Sequence, residues 1–259
     1  MKSFSNTYIF IFSTIMVVIV AALLSSAAIL LQPLQKRNIE INKKQNILSS
    51  INIESNAKNA EKIYKQNITE SYVIDYKGNI KTGIDAFKIN LKKEITKEIE
   101  EMNLPIFVGT VKDSTKVFVI PVRGKGLWGP IWGYIAFNND FNTIYGAKFS
   151  HKSETPGLGA EIATKEFQSQ FIGKKIFDNT NKFVSVSVMK GGTANLSSDY
   201  EVDGISGGTI TSKAVEKMIF SIIDNYKTYF KSQTNKIKPI SEKIISEKEV
   251  SENTVENNN

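Results

Sequence analysis

Between Tyr8 and Leu31 the chain reads YIFIFSTIMVVIVAALLSSAAILL, an uncharged run of 24 residues. A helix needs about 20 such residues to cross the hydrocarbon core of a bilayer, so this run is long enough to span one. A cleaved secretory signal is the competing reading, because Lys2 precedes the run and the small residues Ser25 to Ala28 lie near its end. The apolar part of such a signal is about 7–15 residues long, whereas this one continues through Ile29, Leu30 and Leu31. The length therefore predicts a retained, single-pass transmembrane anchor over residues 1–37. Orientation is less direct. Lys36, Arg37, Lys43 and Lys44 follow the run, while Lys2 and the α-amino group precede it, and the positive-inside rule alone would keep the following domain in the cytoplasm.

The remainder of the 259-residue chain is long enough to bury a core without disulfides or metals. It contains no cysteine and a single histidine, His151. A thiolate nucleophile, a zinc–cysteine cluster, iron–sulfur ligation and a cysteinyl flavin are thereby excluded, as is any metal or haem site that takes two histidines from this chain. The formal charge is +7, but the lysines are spread along the chain rather than gathered with aromatics. A basic solvated surface is the expectation, and nucleic acid is not an expected partner.

Residues 38–104 read as connector helices and a hairpin. Asn38 to Gln66 is rich in lysine and asparagine with scattered isoleucines, suggesting a helical connector. SYVIDYKGNI, Ser71 to Ile80, opens a hairpin with its turn at Lys77-Gly78-Asn79. Phe87, Leu91, Ile95 and Ile99 recur every four residues, which predicts an amphipathic helix over Ile84 to Met102. Residues 105–231 then read as the main domain. Its β-like runs are Ile106 to Val111, Lys116 to Val122, Ile131 to Phe137 and Thr143 to Ser150, with a short helix at Thr164 to Phe171 and a half-buried strand at Lys182 to Met189. Ala214, Val215, Met218, Ile219, Ile222, Ile223, Tyr226 and Phe230 form one apolar helical stripe. The pattern is α+β, with mainly antiparallel strands and flanking helices. Residues 232–259 are polar and read as a disordered tail.

DGISGGTITS, Asp203 to Ser212, sets three glycines and four hydroxyls just ahead of that helix, which is expected to open near Ser212. Gly207 and Gly208 let backbone amides approach a ligand closely, and a helix N-terminus suits a phosphate. The stretch lacks the lysine of a P-loop and the GxGxxG of a dinucleotide fold. The plainer alternative is that Ser206, Thr211 or Ser212 caps the helix and the glycines make a turn.

The stretch resembles the flavinylation motif of the FMN-binding domain family, D-G-x-[ST]-G-A-T-x-[ST]-S, with Gly208 in the usual alanine position. A second element, HKSETPGLGAEI from His151 to Ile162, resembles the ETPGLG loop of the same family. A third, RGKGLWGPIWGYIAF from Arg123 to Phe137, resembles the GKGLW element of the C subunits of sodium-translocating NADH:quinone reductases. The related G subunit of Rnf-type electron transport complexes shares the first two elements and is the sibling alternative; an anchored binding or scaffolding module without flavin is the alternative of another class.

The resemblance implies FMN joined by a phosphoester to Thr209, attached by a separate flavin transferase from FAD. Ser206, Gly207, Gly208, Thr211 and Ser212 would shape the phosphate pocket, and Glu154, Thr155, Gly157, Leu158 and Gly159 would enclose the flavin. Lys190, just before Gly191 and Gly192, reads either as a source of positive charge there or as a solvated lysine. It also implies a periplasmic domain on the inner membrane, against the lysine count, and partner subunits that oxidise NADH, reduce quinone and move sodium. No dinucleotide fingerprint appears here, and the span's own polar groups are few (Ser13, Thr14, Ser25 and Ser26, with Tyr8 at its edge), so neither NADH nor sodium is placed on this chain. Trp128, Trp132 and Tyr134 are expected to pack in the core or on strand faces. His151 reads as a packing or exposed residue, and no catalytic residue or metal ligand is expected.

Overall fold

The computed structural model describes residues 5–236, and the chain divides into two compact units, 1–44 and 45–259. Helix α1 spans Asn6–Ser50. It is exposed from its start through residue 40, with Phe10 and Leu30 showing 78% and 77% of their surface. Its best window has a mean hydropathy of 2.7 with none of it buried, and its apolar residues lie on every side rather than along one stripe. Such a surface needs lipid around it, not a protein core on one face. Among the described residues the chain thus carries a single membrane-spanning helix, at its N-terminal end.

The second unit is built on a six-stranded antiparallel sheet. Its strands are β1 (Ile68–Ile74), β2 (Ile80–Lys81), β3 (Leu104–Thr110), β4 (Lys116–Lys125), β5 (Pro130–Phe137) and β6 (Ile144–His151), in the order β2-β1-β3-β4-β5-β6. The β1–β2 turn at residues 75–79 is held by Asp75, whose carboxylate accepts the amides of Lys77 and Asn79. The predicted runs fall on these strands because β-branched and aromatic side chains suit a pleated surface. The two-residue period then gives the sheet two cores. Ile106, Ile120, Val122, Ile135 and Phe149 face one of them with helix α5 (Thr209–Asp224). Phe107, Val117, Val119, Tyr134 and Ala136 face the other, against Ile47, Leu48 and Ile51. Each of the buried valines, leucines, isoleucines and phenylalanines contributes about 1.5–3 kcal/mol by burial.

Three expectations are corrected, and the connector helices are given their bounds. Ile84 to Met102 is not one helix: it contains short helical turns at Ala86–Lys88, Leu91–Glu94 (α3) and Ile99–Glu101. Asp85 accepts the amide of Phe87 and Asn90 that of Lys92, so each restarts the backbone locally and the four-residue apolar spacing never propagates. The strand expected over Lys182 to Met189 shrinks to β7 (Ser187–Met189), paired in parallel with β8 (Glu201–Asp203). Ser185, at φ 62°, breaks the alternation, and Phe183 packs instead on Phe177.

The helical connector of residues 38–66 is two helices: α1 ends at Ser50, and α2 covers Ala60–Asn67. Finally, the polar tail begins later than residue 232, since residues 227–236 are helical; residues 237–259 lie outside the described residues. Tyr226 and Phe230 are buried as the stripe requires, with the Tyr226 hydroxyl donating to Pro105 O at 3.1 Å. Helix α4 (Lys165–Ser169) matches the short predicted helix, capped by Thr164.

Candidate functional site

Helix α5 opens at Thr209, three residues earlier than expected, with Gly208 as its N-cap and no side-chain capping bond. The hydroxyls that the sequence offers as caps are used elsewhere. Ser212 is buried and accepts the amide of Ile205 at 2.9 Å, closing the loop that precedes the helix. Thr211 donates its hydroxyl to Glu154 Oε2 at 2.6 Å. The first amides of a helix have no intrahelical acceptor, and among the described residues those of Thr209, Ile210 and Thr211 have none from elsewhere. Gly207, at φ +73°, turns the chain into the helix, and a Cβ there would lie 2.7 Å from Leu158 Cδ2. The left-handed backbone at this position is what favours glycine, since the Leu158 side-chain end could move aside.

Glu154 ties this entrance to the rest of the sheet. It is 4% exposed. One carboxylate oxygen accepts the Trp128 amide at 2.9 Å and the other the Thr211 hydroxyl. A Cβ on Gly126 would come within 2.6 Å of Oε1, and one on Gly159 within 2.6 Å of Oε2 and 2.5 Å of Thr211 Oγ1. Gly126 of the GKGLW element and Gly159 of the ETPGLG element therefore make room for this one carboxylate. His151 closes the loop from its other end, its Nδ1 accepting the Glu154 amide at 3.2 Å. That bond requires an unprotonated Nδ1 and gives the histidine a bracing role. Ser153 adds a second tie, donating its hydroxyl to Trp128 O at 3.0 Å.

Around these bonds lies a cavity of about 280 Å³, lined by Leu127, Trp128, Glu154, Thr155, Leu158, Gly159 and residues 207–211. Three stretches far apart in sequence meet there: the β4–β5 connection, the loop after β6 and the start of α5. Trp128 corrects the expectation of packing, being 66% exposed at the strand connection, whereas Tyr134 is buried. Leu127, Trp128, Leu158 and Ile210 give the cavity an apolar, solvent-facing rim.

Of the residues singled out from sequence, Thr209, Gly207, Gly208, Thr211, Glu154, Thr155, Leu158 and Gly159 are brought together. Ser206, Ser212, Gly157 and Lys190 do not line the cavity. Gly157, at φ +75°, spends its amide on Glu161 Oε1 at 2.8 Å. Lys190 is exposed on a neighbouring loop, where its carbonyl accepts from Thr193. Leu127 lies within the GKGLW run and Ile210 within DGISGGTITS, but an apolar residue in either place carries no signal of its own that it lines a site.

The site fits FMN on its own geometry. A row of unpartnered helix-terminal amides beside an exposed Thr209 suits a phosphate, and an apolar rim next to it suits a flat ring. The FMN-binding domain family matches residues 126–224, a span that begins at Gly126 within the GKGLW run and contains the ETPGLG loop and helix α5. The C subunit of the Na(+)-translocating NADH-quinone reductase of Vibrio vulnificus is 32% identical over 211 residues, covering 75% of this chain and 81% of the relative. The chain belongs to the family of C subunits of Na(+)-translocating NADH-quinone reductases. The Haemophilus ducreyi member of the family is 34% identical over 213 residues, covering 76% of this chain and 82% of its own. A family member of known crystal structure, from Parabacteroides distasonis, superposes with a TM-score of 0.71 at 44% identity, covering 77% of this chain and 96% of that one.

Proposed function

We infer that this chain is the electron-carrying, FMN-binding subunit of a sodium-translocating NADH:quinone reductase, active within its complex and not alone. The observation that carries the reading is the placement of Thr209: this hydroxyl-bearing residue is the first of α5, exposed, beside amides that lack acceptors and against a glycine wall. Bound FMN supplies a ring system that accepts and releases electrons singly. The chain's own part is to hold that ring. Thr209 Oγ is the attachment atom, the amides of Thr209, Ile210 and Thr211 receive the phosphate charge, and Leu127, Trp128 and Leu158 offer apolar surface to the ring. The lining contributed by Leu127 and Trp128 of the GKGLW run favours the quinone reductase's C subunit over the Rnf-type G subunit.

Attachment is the work of a flavin transferase acting on FAD. The Thr209 hydroxyl loses its proton and its oxygen forms the new bond to the FMN phosphorus, while the pyrophosphate bond breaks and AMP leaves. The domain faces the periplasm from its inner-membrane anchor, where a covalent bond keeps a diffusible cofactor from being lost. Lys36 and Arg37 run counter to that orientation, and insertion together with partner subunits offsets their bias. In-gel fluorescence after full denaturation tests the linkage: the wild-type band should be fluorescent and Thr209→Val dark. A fluorescent Thr209→Val band would place the bond elsewhere.

A further inference from the structure

We propose that Glu154 is a positioning residue that also fixes a negative charge beside the flavin and so lowers the flavin's affinity for electrons. The inference rests on the FMN reading above. Glu154 is the one charged side chain among the cavity's lining residues. Both of its hydrogen bonds are donated to it, by the Trp128 amide and the Thr211 hydroxyl, so both oxygens act as acceptors, the role of a carboxylate's oxygens. Among the described residues no lysine, arginine or histidine forms an ion pair with it.

A buried charge without a counter-ion is costly unless local dipoles offset it. Here the N-terminus of the 16-residue α5 lies directly against it through Thr211, and its partial positive charge suits an anion. The glycines at 126 and 159 leave no side chain between the carboxylate and the backbone that cages it. Few atoms are therefore free to reorient and screen the charge, and a charge that is poorly screened acts more strongly on its neighbours. Adding an electron next to a fixed anion is opposed, so removal of the anion makes the bound flavin easier to reduce.

Glu154→Gln separates charge from bracing. The amide oxygen still accepts from Trp128, and Thr211 can reverse its hydroxyl to accept from the new NH2 group. The full chain, co-expressed with its flavin transferase, is first checked for flavin on the Thr209 peptide by mass. Unmodified wild-type peptide would overturn the FMN reading, and this inference with it. With flavin present, spectroelectrochemical titration should show Glu154→Gln reduced more easily, by roughly tenfold in the equilibrium constant, which is about 59 mV per electron. Ser153→Ala, which cuts the neighbouring tie to Trp128 O but leaves the Glu154 charge and its donors in place, should stay near the wild-type potential. Equal potentials for wild type and Glu154→Gln, or an equal rise in Ser153→Ala, would overturn the proposal. A readout that needs no variant is the redox-induced infrared difference spectrum of the wild type. It should contain a perturbed carboxylate stretch, and a spectrum without one would likewise overturn the proposal.

Discussion

Glycine positions 157 and 159, two residues apart in the same loop, have opposite physical reasons to lack a side chain. Gly157 is at φ +75° with open space around the missing Cβ, whereas Gly159 has no room for one beside Thr211 Oγ1 and Glu154 Oε2. Alanine at 157 should cost about 1 kcal/mol through backbone strain and leave flavin content unchanged. Alanine at 159 should cost about 1–3 kcal/mol by overpacking and lower flavin content as well, because it pushes on the cavity wall. Thermal unfolding and flavin-to-protein ratios of the two variants would check the contrast. The sequence marks both glycines and the acid before them, but not this distinction. Glu154 and Thr211 are 57 residues apart, and nothing in the local pattern around either indicates that they meet.

Elements are legible where burial dictates them. The strands of the central sheet follow from runs such as KVFVIPV and IWGYIAF, whose alternating residues feed two cores and leave few alternatives. The stretch from Ile84 to Met102 misleads because its apolar spacing coincides with a helical period, while Asp85 and Asn90 act locally to interrupt it. Within that stretch Glu94 does the holding. Its carboxylate accepts from Lys97 Nζ at 2.9 and 2.8 Å and from the Asn103 amide at 2.9 Å. Burial pushes the Glu94 carboxyl up, but the Lys97 ammonium and the Asn103 donors outweigh it and hold the pKa below the ordinary value. A depressed folded-state pKa stabilises the fold above the ordinary carboxyl range, around pH 4.3, and that stability is lost as pH falls through the folded value. Glu94→Gln should therefore speed amide hydrogen exchange across residues 91–103 at pH 7, corresponding to about 1–2 kcal/mol, after correction for intrinsic exchange rates. The difference from wild type should close as pH falls below the carboxyl range.

The whole molecule combines an apolar helix exposed from its start through residue 40 with a domain whose sheet is buried on both faces. The anchor is legible because length and absence of charge suffice to specify it. The side of the membrane is not, because Lys36, Arg37, Lys43 and Lys44 speak for the cytoplasm, against the periplasmic side proposed above. Protease added outside intact spheroplasts should digest the domain and leave the anchor, as read by an antibody against residues 105–231. An uncut domain would place it in the cytoplasm.

One consequence of the Glu154 ties concerns maturation. Because the bonds to Trp128 and Thr211 join three separated stretches using only atoms of this chain, the approach to Thr209 is a three-dimensional surface and not a string of letters. On the flavin reading proposed above, whatever approaches Thr209 in the folded domain meets Leu127, Trp128 and Leu158 beside it as well as the residues of DGISGGTITS.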